Sequence, residues 1–492
     1  MKKLEWILLG VILLCAFFTR LYRFDGPVAD WHSWRQADTS SVSRNFVKNG
    51  FDLLHPTYQD LSNVPSGIDN PKGYRFVEFP IYNALAAGGF KTLGVFTLEE
   101  WGRIVSIISS LFSISFIYLI LKNRGYKFSG FFAAFFYATL PFAVYYGRTI
   151  LPDQTMVAAS LGGTYFFDLW INSKLKTENL KLKTYFIFSL LLTATAFLLK
   201  PYALFFTLPI IYLTFEKFKF TAFKKWKLWL FLFVSVIPLI LWRKWMQQFP
   251  EGIPTSDWLF NAGNIRFRPA FFRWIFFERI SKLILGYFGV VFLILGFMVK
   301  IKKNDFLFFL SFAVSSIIYI FVIARGNVQH DYYQILIIPS IVIFLGLGIG
   351  QALQNFKKSP KGTSFPEAAA NYFVLVALFT FLILMYVFSW NLVKDFFNIN
   401  NSSIVRAGKE VDKLIPKNAK VIANYNGDTA FLYQTNRSGW ASFEKPIPEM
   451  ISMGAEYLLL INPSEKDLEI GKTYKIVKNS SDYVIFNLRQ KP

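Results

Sequence analysis

The sequence predicts a mainly α-helical protein: a polytopic transmembrane helical bundle with an extracytoplasmic first loop and a small C-terminal α/β domain. Three observations predict this class. The 492 residues are 54% hydrophobic and include 57 Phe, a composition rarely found in soluble domains. Apolar runs of about 17–25 residues, the length that crosses a bilayer as a helix, recur along the chain. Lys and Arg concentrate in alternate loops between these runs.

The apolar runs predict about eleven spans. The first follows Lys2 and Lys3 and lacks a small-residue cleavage site, so we expect it to be a retained anchor. Residues 1–390 form the predicted transmembrane domain, including outer loops at 23–102 and 246–282. The spans lie near residues 5–22, 103–121, 128–146, 154–172, 184–199, 203–216, 228–245, 283–299, 306–323, 334–350 and 371–390.

Loop charge predicts the orientation. With a cytoplasmic N-terminus, the short opposite loops carry only Arg148, Lys200 and Arg325. By the positive-inside rule the C-terminal domain is then extracytoplasmic, in a multi-pass protein of the cell (inner) membrane. The net charge of +22 therefore follows topology and does not indicate nucleic acid. The cytoplasmic loops hold 18 Lys and Arg against 4 acidic residues, in segments 122–127, 173–183, 216–227, 300–305 and 351–367.

The last segment, residues 391–492, is more polar and alternates helix and strand signals. Val405–Leu414 reads as a short amphipathic helix. The apolar stretches Lys420–Ala423, Glu456–Ile461 and Tyr483–Phe486 read as strands. This alternation predicts a small α/β domain. The single cysteine, Cys15, excludes a disulfide within the chain and a cysteine-rich metal site.

Asp38 is the first candidate for chemistry. It lies at the start of a predicted helix from about Ala37 to Lys48 in the first outer loop, just after Arg35. A carboxylate here could act as a general base, or it could cap the helix by accepting from backbone N–H groups. Glu78, later in the same loop, could bind a metal, accept from a sugar hydroxyl or pair with Arg75.

Further polar residues cluster in the short outer loops. Arg148 could hold a phosphate through two hydrogen bonds, and Asp153 could be its ion-pair partner or the cap of the next helix. Lys200 could contact a phosphate or extend to the membrane interface. His330 precedes an aromatic pair, Tyr332 and Tyr333. The three histidines lack metal-ligand spacing, so a surface histidine is the alternative to a metal ligand.

Taken in order, these motifs resemble the GT-C glycosyltransferases of the protein O-mannosyltransferase and aminoarabinose transferase type. The resemblance covers roughly residues 1–390, and the C-terminal domain is also similar to the tails of bacterial members. Each motif is short, so the specificity comes from the set. The motifs are Trp34–Thr39, Glu78–Pro80, Gly147–Arg148, Pro152–Asp153, Lys200–Pro201 and His330–Tyr333.

The resemblance implies an inverting transferase that uses a polyprenyl-phosphate-linked sugar at the outer face of the membrane. The family's acidic pair in the first loop is replaced by Ala37 and Asp38, so the general-base role falls on Asp38 alone. The Glu-Lys-Pro-Pro pattern of some relatives reads Glu78–Ile81 here without its lysine. The residues expected to bind the donor phosphate or sugar are Arg35, Arg148, Asp153, Lys200 and Tyr333.

Some relatives bind a divalent metal, for which Glu78 and His330 are the expected ligands here. The expected partners are a lipid donor, a glycan, lipid or protein acceptor, and membrane lipids, with no nucleic acid. Three alternatives stay open: a lipid-linked glycan flippase or transporter, an assembly protein whose outer domain binds partners, and a glycan ligase or polymerase that takes a larger lipid-linked donor. Few charged residues lie at depth in the predicted spans, which favours an enzyme over a pore.

Overall fold

A computed structural model describes residues 2–173, 180–357 and 365–492, and most of these are helical. Three-residue to seven-residue 3₁₀ turns join several helices, as at Pro201–Thr207 and Asp331–Ile337. The helices of the first half are α1 (Lys2–Arg20), α2 (Ser33–Asn49), α3 (Ile81–Leu93), α4 (Leu98–Asn123), α5 (Lys127–Thr139), α6 (Pro141–Tyr146), α7 (Asp153–Ile171), α8 (Leu180–Leu199), α9 (Leu208–Phe218) and α10 (Trp226–Met246).

The second half continues the bundle and ends in the C-terminal domain. Residues Arg273–Ile284 form a π-helical stretch between α12 and α13. The helices are α11 (Trp258–Asn261), α12 (Pro269–Phe272), α13 (Gly289–Phe297), α14 (Lys303–Val322), α15 (Ala324–Gln329), α16 (Ile338–Lys357), α17 (Phe365–Val393), α18 (Ser402–Leu414), α19 (Thr429–Gln434), α20 (Ile447–Ser452) and α21 (Glu465–Leu468).

Each of the eleven predicted spans overlaps a helix. Six helices of the described residues are long and apolar enough to cross a membrane, or seven if one bent pair is a single span. That pair, Pro269–Ile284 and Gly289–Phe297, is bent by 114°. The predicted span 128–146 is broken at Leu140, because the residue before Pro141 adopts an extended conformation. The count of eleven therefore stays a prediction, and parts of the loops 173–183 and 351–367 lie outside the described residues.

Helix α2 begins earlier than the sequence predicts. It starts at Ser33 after His32, whose backbone is left-handed with φ of 55°. It ends at Gly50, whose φ of 93° suits glycine. Asp38 therefore lies in the second turn, and the interpretation of Asp38 as the helix cap is wrong. Its carboxylate is free to serve contacts outside its own helix.

The C-terminal domain contains a mixed five-stranded sheet with the strand order β2-β1-β3-β5-β4. Strand β1 runs parallel to β2 and β3, whereas β5 runs antiparallel to β3 and β4. The three predicted strands are the central ones, which are buried and apolar, so the predicted α/β character is confirmed. The strands are β1 (Val421–Asn424), β2 (Gly439–Trp440), β3 (Tyr457–Ile461), β4 (Lys475–Asn479) and β5 (Tyr483–Asn487).

The edge of this sheet is joined to the first outer loop. The backbone N–H of Gly439 donates to the Gln59 carbonyl (3.0 Å), and the Leu61 N–H donates to the Gly439 carbonyl (2.7 Å). A Cβ at position 439 would lie 1.8 Å from the Val421 carbonyl oxygen. Only glycine fits at position 439, because a side chain there would collide with the Val421 backbone. The hydrogen bonds of Gly439 with Gln59 and Leu61 extend the edge of the sheet into the first outer loop.

The two ends of α7 carry separate charge clusters. Asp153 begins the helix and Asp168 lies near its end, about 22 Å away for fifteen residues of helix. Near the Asp168 end, the Arg124 guanidinium pairs with Asp168, Glu216 and Asp305 at 3.0–3.4 Å. This cluster ties four helices together at the predicted cytoplasmic side, while Asp153 faces the predicted outer side.

Candidate active site

Asp38 lies where α2 meets the C-terminal domain and is only 4% exposed. Its Oδ2 accepts a hydrogen bond from Nη2 of Arg75 (2.6 Å), and its Oδ1 accepts one from the hydroxyl of Thr429 (2.7 Å). The Arg75 guanidinium also lies 5.0 Å from the ring centroid of Tyr58. Each carboxylate oxygen has two lone pairs, so Asp38 keeps the capacity to accept a proton from a third group.

A second carboxyl group stands beside Asp38. The Asp60 side chain accepts from the backbone N–H and the hydroxyl of Ser62, at 3.0 and 2.8 Å. Burial raises the pKa of Asp60 to about 7, and the nearby charge of Asp38 also raises it. Burial likewise raises the pKa of Asp428 to about 6. A small cavity of about 10 Å³ lies between Asp38 and Asp60, lined by Ala37, Asp38, Ser41, Tyr58, Gln59, Asp60, Thr429, Leu432 and Tyr433.

Glu78 is the centre of a second network. Nη2 of Arg35 donates a hydrogen bond to its Oε1, and Nζ of Lys200 lies 3.7 Å from the same oxygen. Burial acts to raise the pKa of Glu78, but the charges of Arg35 and Lys200 outweigh it and lower the pKa. Glu78 is therefore a carboxylate held between two cations. The alternative that paired Glu78 with Arg75 is wrong, since Arg75 pairs with Asp38.

Lys200 links Glu78 to Asp153. Its Nζ lies 2.9 Å from Oδ1 of Asp153, so Asp153 pairs with Lys200 and not with Arg148. Asp153 is fully buried, and neither of its oxygens accepts a hydrogen bond of good geometry within the described part of the chain. The Lys200 ammonium also lies 5.7 Å from the Tyr333 ring centroid and 5.9 Å from that of Tyr332. The Lys200 ammonium thus lies between two carboxylates and close to two aromatic rings.

Arg148 is committed to other contacts. Its Nη2 donates to Oδ2 of Asp30 (2.8 Å), its Nη1 donates to the Arg23 carbonyl (2.7 Å), and its guanidinium lies 4.9 Å from the Phe397 ring. The side chain is almost fully buried. This geometry joins the α6–α7 turn to the start of the first loop. The structure does not bring Arg148 together with Lys200, and among the described residues its Nη1 and Nη2 have hydrogen-bond partners while its buried Nε has none.

His330 and Glu78 do not assemble into a metal site. The imidazole of His330 stacks on Tyr332 at 5.5 Å, and burial lowers its pKa to about 4. Glu78 is already paired with two cations, which oppose binding of a divalent ion. No group of three or more His, Cys, Asp or Glu suited to a metal occurs within residues 2–173, 180–357 and 365–492. The neighbouring Asp331 instead accepts from His32 Nε2 (2.7 Å) and Tyr146.

Sequence reasoning did not place three residues in the Asp38 site: Arg75, Thr429 and Asp60. Arg75 was considered only as a partner of Glu78. Thr429 follows Asn426–Asp428, a typical turn sequence, but nothing in that stretch indicates a contact with Asp38 across the chain. Asp60 was missed because a lone aspartate in a loop resembles an ordinary exposed residue.

Comparisons with known proteins agree with this architecture. Residues 78–242 match the family model described as dolichyl-phosphate-mannose-protein mannosyltransferase. That stretch contains Glu78, Asp153 and Lys200 but begins after Asp38. No curated protein sequence matches the chain.

Two solved structures are similar over most of the chain. ArnT from Cupriavidus metallidurans, bound to undecaprenyl phosphate, is 13% identical with a TM-score of 0.64, over 99% of this chain and 98% of its own. The oligosaccharyltransferase from Archaeoglobus fulgidus, tethered with an acceptor peptide containing the NVT sequon, is 12% identical with a TM-score of 0.59, over 96% of this chain and 70% of its own. The chain therefore has the fold of the GT-C membrane glycosyltransferases and is a multi-pass membrane protein.

Proposed function

We propose that this GT-C-fold protein is an inverting glycosyltransferase that moves a sugar from a polyprenyl-phosphate donor to an acceptor hydroxyl at the outer face of the membrane, with Asp38 as general base. One observation carries the proposal. A buried carboxylate, Asp38, lies on the same helix as Arg35, and Arg35 belongs to a network with Glu78, Lys200 and Asp153. Helix α2 thus carries both the proposed base, Asp38, and a proposed phosphate-binding group, Arg35.

The donor phosphate would bind at Arg35 and Lys200. These two cations are balanced by Glu78 and Asp153, so the four side chains together carry no net charge. A polyprenyl-phosphate sugar carries one negative charge on its phosphodiester, and the departing polyprenyl phosphate carries up to two. The cations therefore stabilise the leaving group more than the bound donor, which is the condition for catalysis.

An apolar groove supports a lipid donor. It has a volume of about 520 Å³, within the range of small-molecule sites. The backbone N–H of Phe79 donates to the Leu198 carbonyl (3.0 Å), so this groove wall adjoins Glu78 and Lys200 along the chain. An isoprenoid tail in the groove would place its phosphate beside the cations. The groove is lined by Leu54, Phe79, Leu198, Pro238, Leu241, Trp242, Lys244, Trp245 and Gln248.

The transfer is a single displacement. Asp38 takes the proton of the acceptor hydroxyl. The hydroxyl oxygen attacks the anomeric carbon at the same time, from the face opposite the phosphate. The bond between the anomeric carbon and the phosphate oxygen breaks, polyprenyl phosphate departs, and the configuration inverts. Oδ2 of Asp153, which has no hydrogen-bond donor among the described residues, would accept from a hydroxyl of the donor sugar, and the ring of Tyr333 would pack against that sugar.

The test uses purified protein in nanodiscs with a panel of radiolabelled polyprenyl-phosphate sugars. We expect wild type to release sugar to water or to an added acceptor, and Asp38→Asn to lose roughly 10²–10⁴-fold in rate, the usual contribution of a general base. The matched control is Asp168→Asn, which removes a carboxylate that is equally buried and also paired with an arginine. Equal turnover in wild type and Asp38→Asn would refute the base assignment, and no turnover with any donor would refute the transferase.

A further inference from the structure

Thr429 belongs to the C-terminal domain but contacts the proposed base in the membrane domain. Its hydroxyl lies 2.7 Å from Oδ1 of Asp38 and 3.2 Å from the carbonyl oxygen of Trp34. A hydroxyl has one proton to donate, and the shorter bond to a charged acceptor is the stronger one. The hydrogen bond to Asp38 therefore takes precedence.

The helix that carries Thr429 is fixed at its other end. Nη1 of Arg44 donates to the Tyr433 carbonyl (2.8 Å), and the Arg44 guanidinium lies 3.6 Å from the Tyr433 ring centroid. The Tyr433 hydroxyl donates to Glu99, and Nε2 of Gln434 donates to the Val28 carbonyl (2.9 Å). Together with the pairing of Gly439 to the first outer loop, these contacts hold α19 against α2, α4 and that loop.

We propose that the C-terminal domain forms part of the catalytic site and that Thr429 is a positioning residue that orients the Asp38 carboxylate. The inference rests on the proposed function. The terminal torsion of an aspartate is broad, so one contact leaves the carboxylate free to rotate. Arg75 holds Oδ2 and Thr429 holds Oδ1, and the two contacts together fix the plane of the carboxylate. A base held in one orientation meets the acceptor hydroxyl in a reactive geometry.

The test compares Thr429→Val with Thr429→Ser in the nanodisc assay. Valine has the shape of threonine without the hydroxyl, whereas serine keeps the hydroxyl. We expect Thr429→Val to lower kcat roughly 10- to 100-fold, the effect of losing a hydrogen bond to a charged group. The KM for the donor should stay within about twofold, because Thr429 contacts Asp38 and not the Lys200 network. Thr429→Ser should recover most of the rate.

The control is Thr435→Val, at the residue that follows α19. The Thr435 hydroxyl donates to the Leu432 carbonyl and accepts from the Arg437 N–H, so this variant disturbs the end of α19 without touching Asp38. We expect wild-type kcat from the folded fraction of Thr435→Val. An equal loss of kcat in Thr429→Val and Thr435→Val, or in Thr429→Val and Thr429→Ser, would overturn the positioning role.

A second measurement needs no turnover. Melting temperatures of wild type, Asp38→Ala, Thr429→Val and the double variant form a double-mutant cycle. We expect the two losses to be non-additive, because each single substitution already removes the same contact. Additive losses would overturn the inference even if the protein is a transferase. Non-additive losses without turnover of any donor would refute the proposed function and with it the catalytic role of the contact.

Discussion

Asp60→Asn is expected to change how the stability of the protein depends on pH. In the folded protein Asp60 is buried and keeps its proton up to a pKa of about 7, whereas its ordinary value is 3.8. Between these values the folded state binds more protons than the unfolded state. The free energy of unfolding therefore falls as the pH rises through this window.

The size of the effect follows from the two pKa values. The interval from 3.8 to about 7 corresponds to about 4 kcal/mol at most, since one pKa unit is worth about 1.4 kcal/mol. Only the part above pH 5.5 falls within a practical assay range, which leaves about 2 kcal/mol between pH 5.5 and pH 8. Asparagine matches the shape of protonated Asp60 and can still accept from the Ser62 N–H. The variant should therefore gain about 2 kcal/mol relative to wild type across that interval.

The assay is thermal unfolding in detergent at pH 5.5 and pH 8 for wild type and Asp60→Asn. The Asp482→Asn variant is the control. The hydrogen bond from Arg406 lowers the pKa of Asp482 below its ordinary value of 3.8, so removing this carboxyl should not alter the pH dependence above pH 5.5. Asp428 titrates in the window in all three proteins and cancels in the comparison. Parallel loss of stability in wild type and Asp60→Asn would refute the argument that Asp60 is buried with its proton.

Two further predictions concern the charge networks. Glu78→Gln removes one buried negative charge beside Arg35 and Lys200, so we expect the free energy of unfolding to fall by roughly 3 kcal/mol. Added undecaprenyl phosphate should partly restore this stability in a melting assay. Absence of any restoration would contradict a phosphate site at these two cations. Arg148→Met leaves Asp30 buried without its cationic partner and should lower the free energy of unfolding by roughly 3–5 kcal/mol. We expect the donor KM of the folded fraction to stay unchanged, and the additional substitution Asp30→Asn to recover stability. A raised donor KM would instead indicate that Arg148 binds the donor phosphate.

The membrane fold could be predicted because the signal is carried by composition. Lipid requires every backbone group to be bonded within its own segment, so each span appears in the sequence as a long apolar run. The interruptions within the membrane-spanning helices were harder to locate. The interruption at Leu140 could be anticipated from Pro141, but the 114° bend after Ile284 has no proline at its break. In the C-terminal domain the buried strands were found, whereas β2 has two residues and β4 lies at an exposed edge.

The candidate site was only partly predictable, because sequence identifies residue types and not their partners. Asp38, Glu78 and Lys200 were found as charged residues that all lie in the predicted outer loops. Which cation meets which carboxylate depends on packing between distant segments. Arg75 was therefore considered only as a possible partner of Glu78, although it pairs with Asp38. The contact of Thr429 with Asp38 joins residues that are 391 positions apart, a separation at which no local pattern operates.

The position of Arg35 on α2 gives the proposed reaction its geometry. Arg35 and Asp38 are three residues apart, so their Cβ atoms are about 5–6 Å from each other on one helix face. Their side chains diverge to different partners, Arg35 to Glu78 and Asp38 to Arg75. A phosphate near Arg35 and an acceptor hydroxyl near Asp38 would then approach a sugar between them from two sides. In the proposed reaction this helix would set the spacing between the leaving group and the nucleophile, and attack from the side opposite the phosphate would invert the configuration of the anomeric carbon.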